Sequence, residues 1–476
     1  MHAAEIAVSG APLAYPSVVR PPTLTWAGEE PTPPDLAALP CPNCGSQDAK
    51  SLVLRVRVEL PDHAPRSLAL IRCPSCTACF YDDQRTPDYA EPKLNERGRV
   101  PFYVQQGAGV WLITRPVAQV KKPPGSAYME VGCGFGFGLD YAIRTKGWVG
   151  RGMDPAPLSG LGAEQLGVPI ELRYLREDDE ARGSMDVVMG SEVIEHVTSP
   201  LAFVRTLRAM LKPGGVLVLT TPNADHIVPA MPPGIIVPLI SPTLHTVMQN
   251  ATSMRALLGR GGFAHVEIAT DSHALVVFAS DAPLDIETDP ARLRDAYRAH
   301  LSGRAATLPP GSDIFLGYAG RALQECSNDA DAAGAERAWQ MLLPACRERF
   351  GLDLDTLDRL PDAVATCGLE EMATLVPLNL GGILYARSIQ QVGGGVPRPT
   401  LERRFALAAE AADAMRRALG QLAMEDGLTE QIGWIARAEA LLCAAYGGDE
   451  AVASRLGRLG PAPGEDGAAR RRTIAE

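Results

Sequence analysis

The chain has 476 residues, more than one ordinary domain needs and enough for about two to four. Its composition is that of a globular protein, and its formal net charge of −11 argues against a general nucleic-acid binder, which carries a basic face. No run of about 18 apolar residues occurs, and no basic segment leads into an apolar core at the N-terminus. The expectation is therefore a cytoplasmic protein without a membrane span or a secretory leader.

Residues 1–40 are rich in Pro and Ala without periodicity, which predicts a loose arm. Residues 41–90 hold two Cys-x-x-Cys knuckles, Cys41-Pro-Asn-Cys44 and Cys73-Pro-Ser-Cys76, and the Val-rich stretch 51–60 between them reads as a strand of a hairpin. From 91 to 282, strand and helix patterns alternate. Strands are predicted at 127–131, 148–153, 168–172, 185–189, 216–221, 265–268 and 275–279, with helices at 139–144, 201–211 and 252–258. That alternation implies a parallel sheet with an antiparallel partner at its end. Residues 290–460 show no strand signal. Helices are predicted at 335–350, 380–391, 401–424 and 428–446, and in the third of these Leu401, Phe405, Ala408, Ala412, Met415, Leu419 and Leu422 form one apolar stripe. The paired helices are similar in kind to tetratricopeptide arrays, although no clean 34-residue period is present. A tail, 461–476, is expected to be disordered.

The strand at 127–131 runs into Glu130-Val-Gly-Cys-Gly-Phe-Gly136. Closely spaced glycines let a backbone approach a ligand, and the helix that follows points free N–H groups at it. A dinucleotide fingerprint would need Gly-x-Gly-x-x-Gly, whose third position falls on Phe137 or Leu139. The spacing here is Gly-x-Gly-x-Gly, followed by Asp154, 22 residues after Gly132. A carboxylate there can accept both hydroxyl protons of a ribose.

This segment resembles motif I of class I S-adenosylmethionine-dependent methyltransferases. The resemblance extends over 185–197, over Leu211-Lys-Pro-Gly-Gly-Val-Leu-Val-Leu-Thr-Thr-Pro-Asn223, and to Gly262-Phe263. It implies a Rossmann-like seven-stranded α/β sheet and S-adenosylmethionine as cofactor. Glu130, Gly132, Cys133, Gly134, Gly136, Asp154, Ser191 and Glu192 are its contact positions, and Cys133 itself reads as a small packing residue. The adenine contact is left open among Glu177, Asp178 and Asp179.

Beyond the fourth strand stands Glu192-Val-Ile-Glu195-His196. If Glu192 opens a helical turn, Glu195 and His196 share its face beside the cofactor. The segment resembles ubiquinone-type O-methyltransferases and also the small-RNA 3′-terminal 2′-O-methyltransferases, in which such residues and a later His bind a divalent metal. His245 could supply that later ligand. Three readings stand. Glu195, His196 and His245 orient or deprotonate an acceptor, with imidazole suited to work near neutral pH. With Glu192 they hold a catalytic divalent metal, which is not the favoured reading. Or they cap and pack the helix. The segment 223–250, with Asp225, His226 and His245, is expected to form a lid over the acceptor pocket.

The knuckle sulfurs of Cys41, Cys44, Cys73 and Cys76 suit tetrahedral, structural zinc, with Cys79 a spare for Cys76. A cysteine module ahead of such a domain resembles bacterial sugar methyltransferases. Cys326, Cys346, Cys367 and Cys443 read as core. The whole predicts three parts: a zinc-ribbon-like module at 41–90, a methyltransferase domain at 91–282 and an α-helical domain at 290–460. The acceptor is expected to be a small molecule, a sugar or related metabolite, with the C-terminal helices available to a protein partner. The alternatives are an RNA or protein methyltransferase and a non-catalytic scaffold.

Overall fold

The computed structural model describes residues 22–444, other than 29–30, 61–62, 91–98, 272, 393, 423 and 425. The expectations for residues 1–21, for 445–460 and for the tail at 461–476 lie outside these residues. The chain divides into two compact units. One comprises the described residues of Met1–Leu94 and Trp111–Leu293, the other those of Asn95–Val110 and Arg294–Glu476.

The first unit holds two sheets. Strands β1 (Thr23–Trp26), β2 (Ser51–Leu60), β3 (His63–Arg72) and β4 (Cys79–Tyr81) form an antiparallel sheet in chain order. The part of the expected loose arm that is described is therefore ordered. Thr23–Trp26 is an edge strand on β2, and Pro34–Ala37 is a short helix with Leu36 buried. The other sheet contains β5 (Ala127–Val131), β6 (Val149–Met153), β7 (Ile170–Glu171), β8 (Met185–Ser191), β9 (Leu211–Pro222), β11 (His265–Asp271) and β12 (Ala274–Ser280). Its order is β11-β12-β9-β8-β5-β6-β7, and its strands run parallel except for β12, which is antiparallel to both β9 and β11. This is a Rossmann-like seven-stranded methyltransferase sheet. Its strands read as near-continuous apolar runs because they are covered on both faces. Helices Phe137–Arg144, Pro157–Leu166, Pro200–Met210 and Ala251–Arg260 connect them, and Phe203, Val204, Leu207, Met254 and Leu257 pack on Val188, Leu217 and Val277.

Strand β10 (Val247–Met248) leaves this second layer. It pairs antiparallel with β4, Val247 opposite Phe80 and Met248 opposite Cys79, and so becomes the fifth strand of the cysteine module's sheet. The segment ahead of it, expected as a lid, is packed. It contains the helix Pro233–Ile240, and Ile227, Met231, Ile236, Leu239 and Ile240 are buried against Leu54, Val56, Leu70 and Tyr81. The module is thus not a free-standing knob. It shares one core with the loop that follows β9.

The second unit is helical, with Arg99–Gly107, Asp313–Asn328, Ala332–Phe350, Leu380–Gln391, Arg398–Gly420 and Gly427–Ala444 among its described helices. The helix Asp313–Asn328 is buried through Phe315, Leu316, Tyr318, Ala322 and Leu323. The predicted stripe from Leu401 to Leu419 is buried, while Leu422 lies past the helix end at Gly420. Cys326, Cys346 and Cys367 are core, whereas Cys443 is only half-buried. The boundary expected at residue 91 is corrected, since Arg99–Gly107 belongs with the helices. Gln105 donates to Asp313 at 2.8 Å and accepts from the Leu378 N–H at 2.8 Å.

Candidate active site

The turn after β5 brings three glycines into left-handed backbone: Gly132 (φ 67°), Gly134 (φ 53°) and Gly136 (φ 93°). At Gly132 the reason is also steric, because a Cβ would stand 2.4 Å from the Val193 Cγ2. The Asp154 carboxylate spans the turn. Its Oδ2 accepts from the Gly134 N–H and its Oδ1 from the Ala156 N–H, both at 2.8 Å. A carboxylate has about four acceptor sites, so each oxygen keeps one more. Glu130 is buried under the turn, where its Oε2 accepts from the Tyr128 hydroxyl at 3.0 Å. Its carboxyl lies against Gly138, whose absent Cβ would fall 2.7 Å from Oε1. Burial pushes the Glu130 carboxyl up to about 8 and Asp154 adds to this, while the Tyr128 hydrogen bond opposes it. Cys133 is buried with its sulfur against Gly152, as a packing residue.

At the end of β8, Ser191 Oγ meets Thr220 Oγ1 at 2.7 Å. Glu192 then takes a left-handed φ of 54°, and Ile194–His196 is a single 3-10 turn. The helical turn expected from Glu192 is therefore not formed, yet the groups still converge. Glu195 is fully buried. Its Oε2 accepts from the Thr221 hydroxyl at 2.9 Å, while its Oε1 has no hydrogen-bond partner among the described residues and stands 3.9 Å from His196 Nε2. Glu192 Oε1 is likewise buried and unpartnered. The rings of His196 and His245 meet edge to face, 4.7 Å between centroids. Each ring has its Nδ1 at a backbone carbonyl, His196 at Leu244 O (3.2 Å) and His245 at Leu239 O (2.9 Å). Ligand atoms of Glu195, His196 and His245 lie within 4.8 Å of one another.

Burial sets the proton affinities. It pushes Glu192 up to about 7 and Glu195 well above its ordinary value, where the neighbouring Glu192 adds to the effect. It drops His196 to about 4 and His245 further below its ordinary value. The imidazoles are thus neutral and weakly basic, which corrects the expectation of a histidine poised near neutrality. It is the carboxyl pair whose proton affinity burial raises.

Residues 112–268 match the family model described as a methyltransferase domain. The ubiquinone biosynthesis O-methyltransferase of Cereibacter sphaeroides (strain ATCC 17025) is 38% identical over 107 residues, 21% of this chain and 43% of that protein. The enzyme of the same name from Ruegeria pomeroyi is 32% identical over 133 residues, 27% of this chain and 52% of that protein. The chain spans about half the length of these curated relatives. The central domain is a class I S-adenosylmethionine-dependent methyltransferase domain. A solved methyltransferase from Mesorhizobium loti is 21% identical and aligns over 36% of this chain and 98% of its own, with a TM-score of 0.30.

Within the methyltransferase domain's unit, the four knuckle sulfurs come together. Cys41 and Cys76 are 3.7 Å apart, as are Cys44 and Cys73, and all four lie within 4.8 Å. Four thiolates about 2.3 Å from one zinc would stand about 3.8 Å from each other, so the donor set fits. The Asn43 amide donates to Cys76 Sγ at 3.5 Å. Donation from Cys41 and Asn43 holds Cys76 down at about 4. Cys79 is not a spare. It is buried in β4 beyond the cluster.

Asp225 accepts from the Asn250 amide at 2.9 Å, and the His226 ring meets His273 at 4.8 Å, so these two loop candidates make their contacts away from His196. Among the adenine candidates, Asp179 is paired with Arg173 at 2.7 Å and Asp178 with Arg176 at 3.2 Å, and Glu177 is exposed. Sequence reasoning missed Tyr128 and Tyr89. The Tyr89 hydroxyl lies 2.7 Å from His196 Nδ1. Tyr128 stands two places before Glu130 on β5, a spacing that puts both on one face of the sheet. Tyr89 carries no local signal, since its partner is 107 residues away.

Proposed function

We infer that the protein transfers the methyl group of S-adenosylmethionine to a hydroxyl oxygen of a small molecule, a sugar or related metabolite, seated against Glu192, Glu195, His196 and His245. The observation that carries this reading is the convergence of these four side chains directly beyond β8, beside the glycine turn. In such a reaction the acceptor oxygen bonds to the methyl carbon as the carbon–sulfur bond breaks. S-adenosylhomocysteine leaves as a neutral thioether, and the hydroxyl proton needs a base. Asp154 holds the ribose through its remaining acceptor sites, and Glu130 and the loop glycines hold the amino-acid end. The Glu192–Glu195 pair takes the proton, with Glu192 raised to about 7 by burial. The names of the relatives support oxygen as the acceptor atom.

A second reading is favoured by one observation. With both Nδ1 atoms on backbone carbonyls, the Nε2 of each imidazole is left as the nitrogen able to ligate, beside the unpartnered Glu195 Oε1. Glu195, His196 and His245 therefore fit a divalent cation, which would lower the proton affinity of a bound hydroxyl. Structural zinc on Cys41, Cys44, Cys73 and Cys76 belongs to the same proposal.

The test is direct. Glu195→Gln and wild type are compared for methyl transfer from labelled S-adenosylmethionine to a panel of catechols and nucleotide sugars, and for calorimetric affinity toward S-adenosylhomocysteine. The expected result is transfer reduced at least about 100-fold with affinity unchanged. Equal transfer would overturn the role of Glu195, and absence of S-adenosylhomocysteine binding to the wild type would overturn the reading as a whole.

A further inference from the structure

We propose that Tyr89, which belongs to the cysteine module, is a positioning residue for the transfer site. Together with the Leu244 carbonyl, its hydroxyl fixes His196 as the tautomer with a proton on Nδ1, so that Nε2 faces Glu195 and His245 as an acceptor. The proposal rests on the reading of Glu195, His196 and His245 as acceptor-side groups.

The geometry is a closed triangle. Tyr89 Oη stands 2.7 Å from His196 Nδ1 and 3.4 Å from Leu244 O, and His196 Nδ1 is 3.2 Å from the same carbonyl. The carbonyl can only accept. The arrangement that satisfies all three atoms of the triangle has Nδ1–H donating to the phenol oxygen and the carbonyl, and the phenol hydrogen donating to the carbonyl. In the reverse tautomer the single phenol hydrogen could serve Nδ1 or Leu244 O but not both, and the N–H would lie on Nε2. The ring adds a second constraint, standing edge to face with the imidazole at 5.5 Å and 87°.

The Tyr89 backbone has contacts of its own, separate from those of the hydroxyl. The Tyr174 hydroxyl accepts from the Tyr89 N–H at 3.1 Å and donates to Asp88 Oδ1 at 3.0 Å, and Asp88 Oδ1 also accepts from the Ala90 N–H. On the other side, Gln84 donates to Thr246 O at 3.2 Å, and β4 pairs with β10. Residues 244–246 are stitched in turn to the 3-10 turn. The Thr246 N–H donates to Glu195 O at 2.6 Å, and its hydroxyl donates to Val197 O at 2.8 Å. The knuckles reach the same place, with Gln249 donating to Asn43 Oδ1 and the Thr77 hydroxyl to Asn250 Oδ1, both at 3.0 Å. The cysteine module is thereby a wall of the acceptor site, and among the described residues Tyr89 is the one through which it touches His196 by a hydroxyl.

The experiment uses the full chain labelled with nitrogen-15 histidine, with His196 assigned by His196→Gln, and reads the imidazole nitrogens by NMR. In the wild type the two nitrogens of His196 should give well-separated signals, with the proton on Nδ1. In Tyr89→Phe the two signals should move toward each other as tautomers mix, and methyl transfer to any acceptor found should fall about 10-fold, with S-adenosylhomocysteine affinity unchanged. Tyr174→Phe loosens the same backbone without touching His196 and should leave its signals in place. Unchanged His196 signals in Tyr89→Phe would overturn the proposal. So would Tyr174→Phe reproducing the effect, since the role would then be structural. If Tyr89→Phe does not fold, 3-fluorotyrosine at position 89 keeps the packing and strengthens the hydroxyl as a donor. His196 signals that do not respond to it would also overturn the proposal. Manganese titration of the wild type is read separately, so loss of the cation reading leaves the tautomer result standing.

Discussion

Two carboxylates under one glycine turn meet opposite conditions. Asp154 is tied to two backbone N–H groups, while Glu130 is buried with a single phenol and is raised to about 8 from an ordinary 4.5. For a carboxyl raised by the fold, its contribution to stability is full below about 4.5 and is lost as the pH climbs through about 8. Glu130→Gln should therefore flatten the fall in melting temperature of the ligand-free protein between pH 6 and pH 9. The same variant should bind S-adenosylhomocysteine more weakly, because the ligand's ammonium loses a carboxylate. A melting profile identical to wild type would contradict the burial argument. Asp154→Ala removes a charge-assisted contact worth about 1.5–3 kcal/mol, so S-adenosylhomocysteine affinity should drop about 10- to 100-fold by calorimetry.

At the scale of elements, the pairing of β4 with β10 ties the cysteine cluster to the loop that carries His245. Removing the proposed zinc with a chelator should speed hydrogen exchange at 244–250 while leaving 130–136 protected, because the glycine turn is anchored on β5. Equal exchange in both segments would refute the coupling. The elements legible in the sequence were those whose signal is local. Strands 127–131 and 185–189 are apolar runs broken only by Glu130 and Asp186, and the glycine turn declares itself by spacing. Thr23–Trp26 was hidden because prolines surround it and its partner β2 lies about 30 residues on. Strand β10 is two residues long and exists only through Phe80 and Cys79. The helix Asp313–Asn328 was missed although it keeps a polar face at Arg321, Gln324, Glu325 and Asn328 opposite its buried residues. At the site, Glu195, His196 and His245 could be named from motif and spacing. Their neutral, weakly basic imidazoles could not, since burial is a property of the assembled core. Tyr89 and the Asn43–Gln249 contact stand 107 and 206 residues from their partners, beyond any periodic pattern.

For the whole molecule, the division into units is not a division of the chain into consecutive pieces. Residues 99–110 lie before the seven-stranded sheet in sequence but belong to the helical unit, where Val104 is buried, Arg321 donates to Ala108 O at 2.9 Å and the Tyr297 hydroxyl donates to Gly109 O at 2.6 Å. A chain ended after Leu293 keeps this segment and loses its partners. It should bind a hydrophobic dye and aggregate, and joining residue 94 directly to 111 in the shortened chain should restore solubility. If both shortened forms behave alike, the assignment of 99–110 to the helices is wrong.

The same threading imposes an order in time. On a ribosome, the helix Arg99–Gly107 emerges about 200 residues ahead of Asp313–Asn328, on which it packs, a delay of about 10–40 s at ordinary rates of synthesis. The seven-stranded sheet is translated entirely within that interval. The helix must wait through it with Val104 unburied, and slow codons or a chaperone between residues 110 and 313 would govern the yield of soluble protein more than the final stability does.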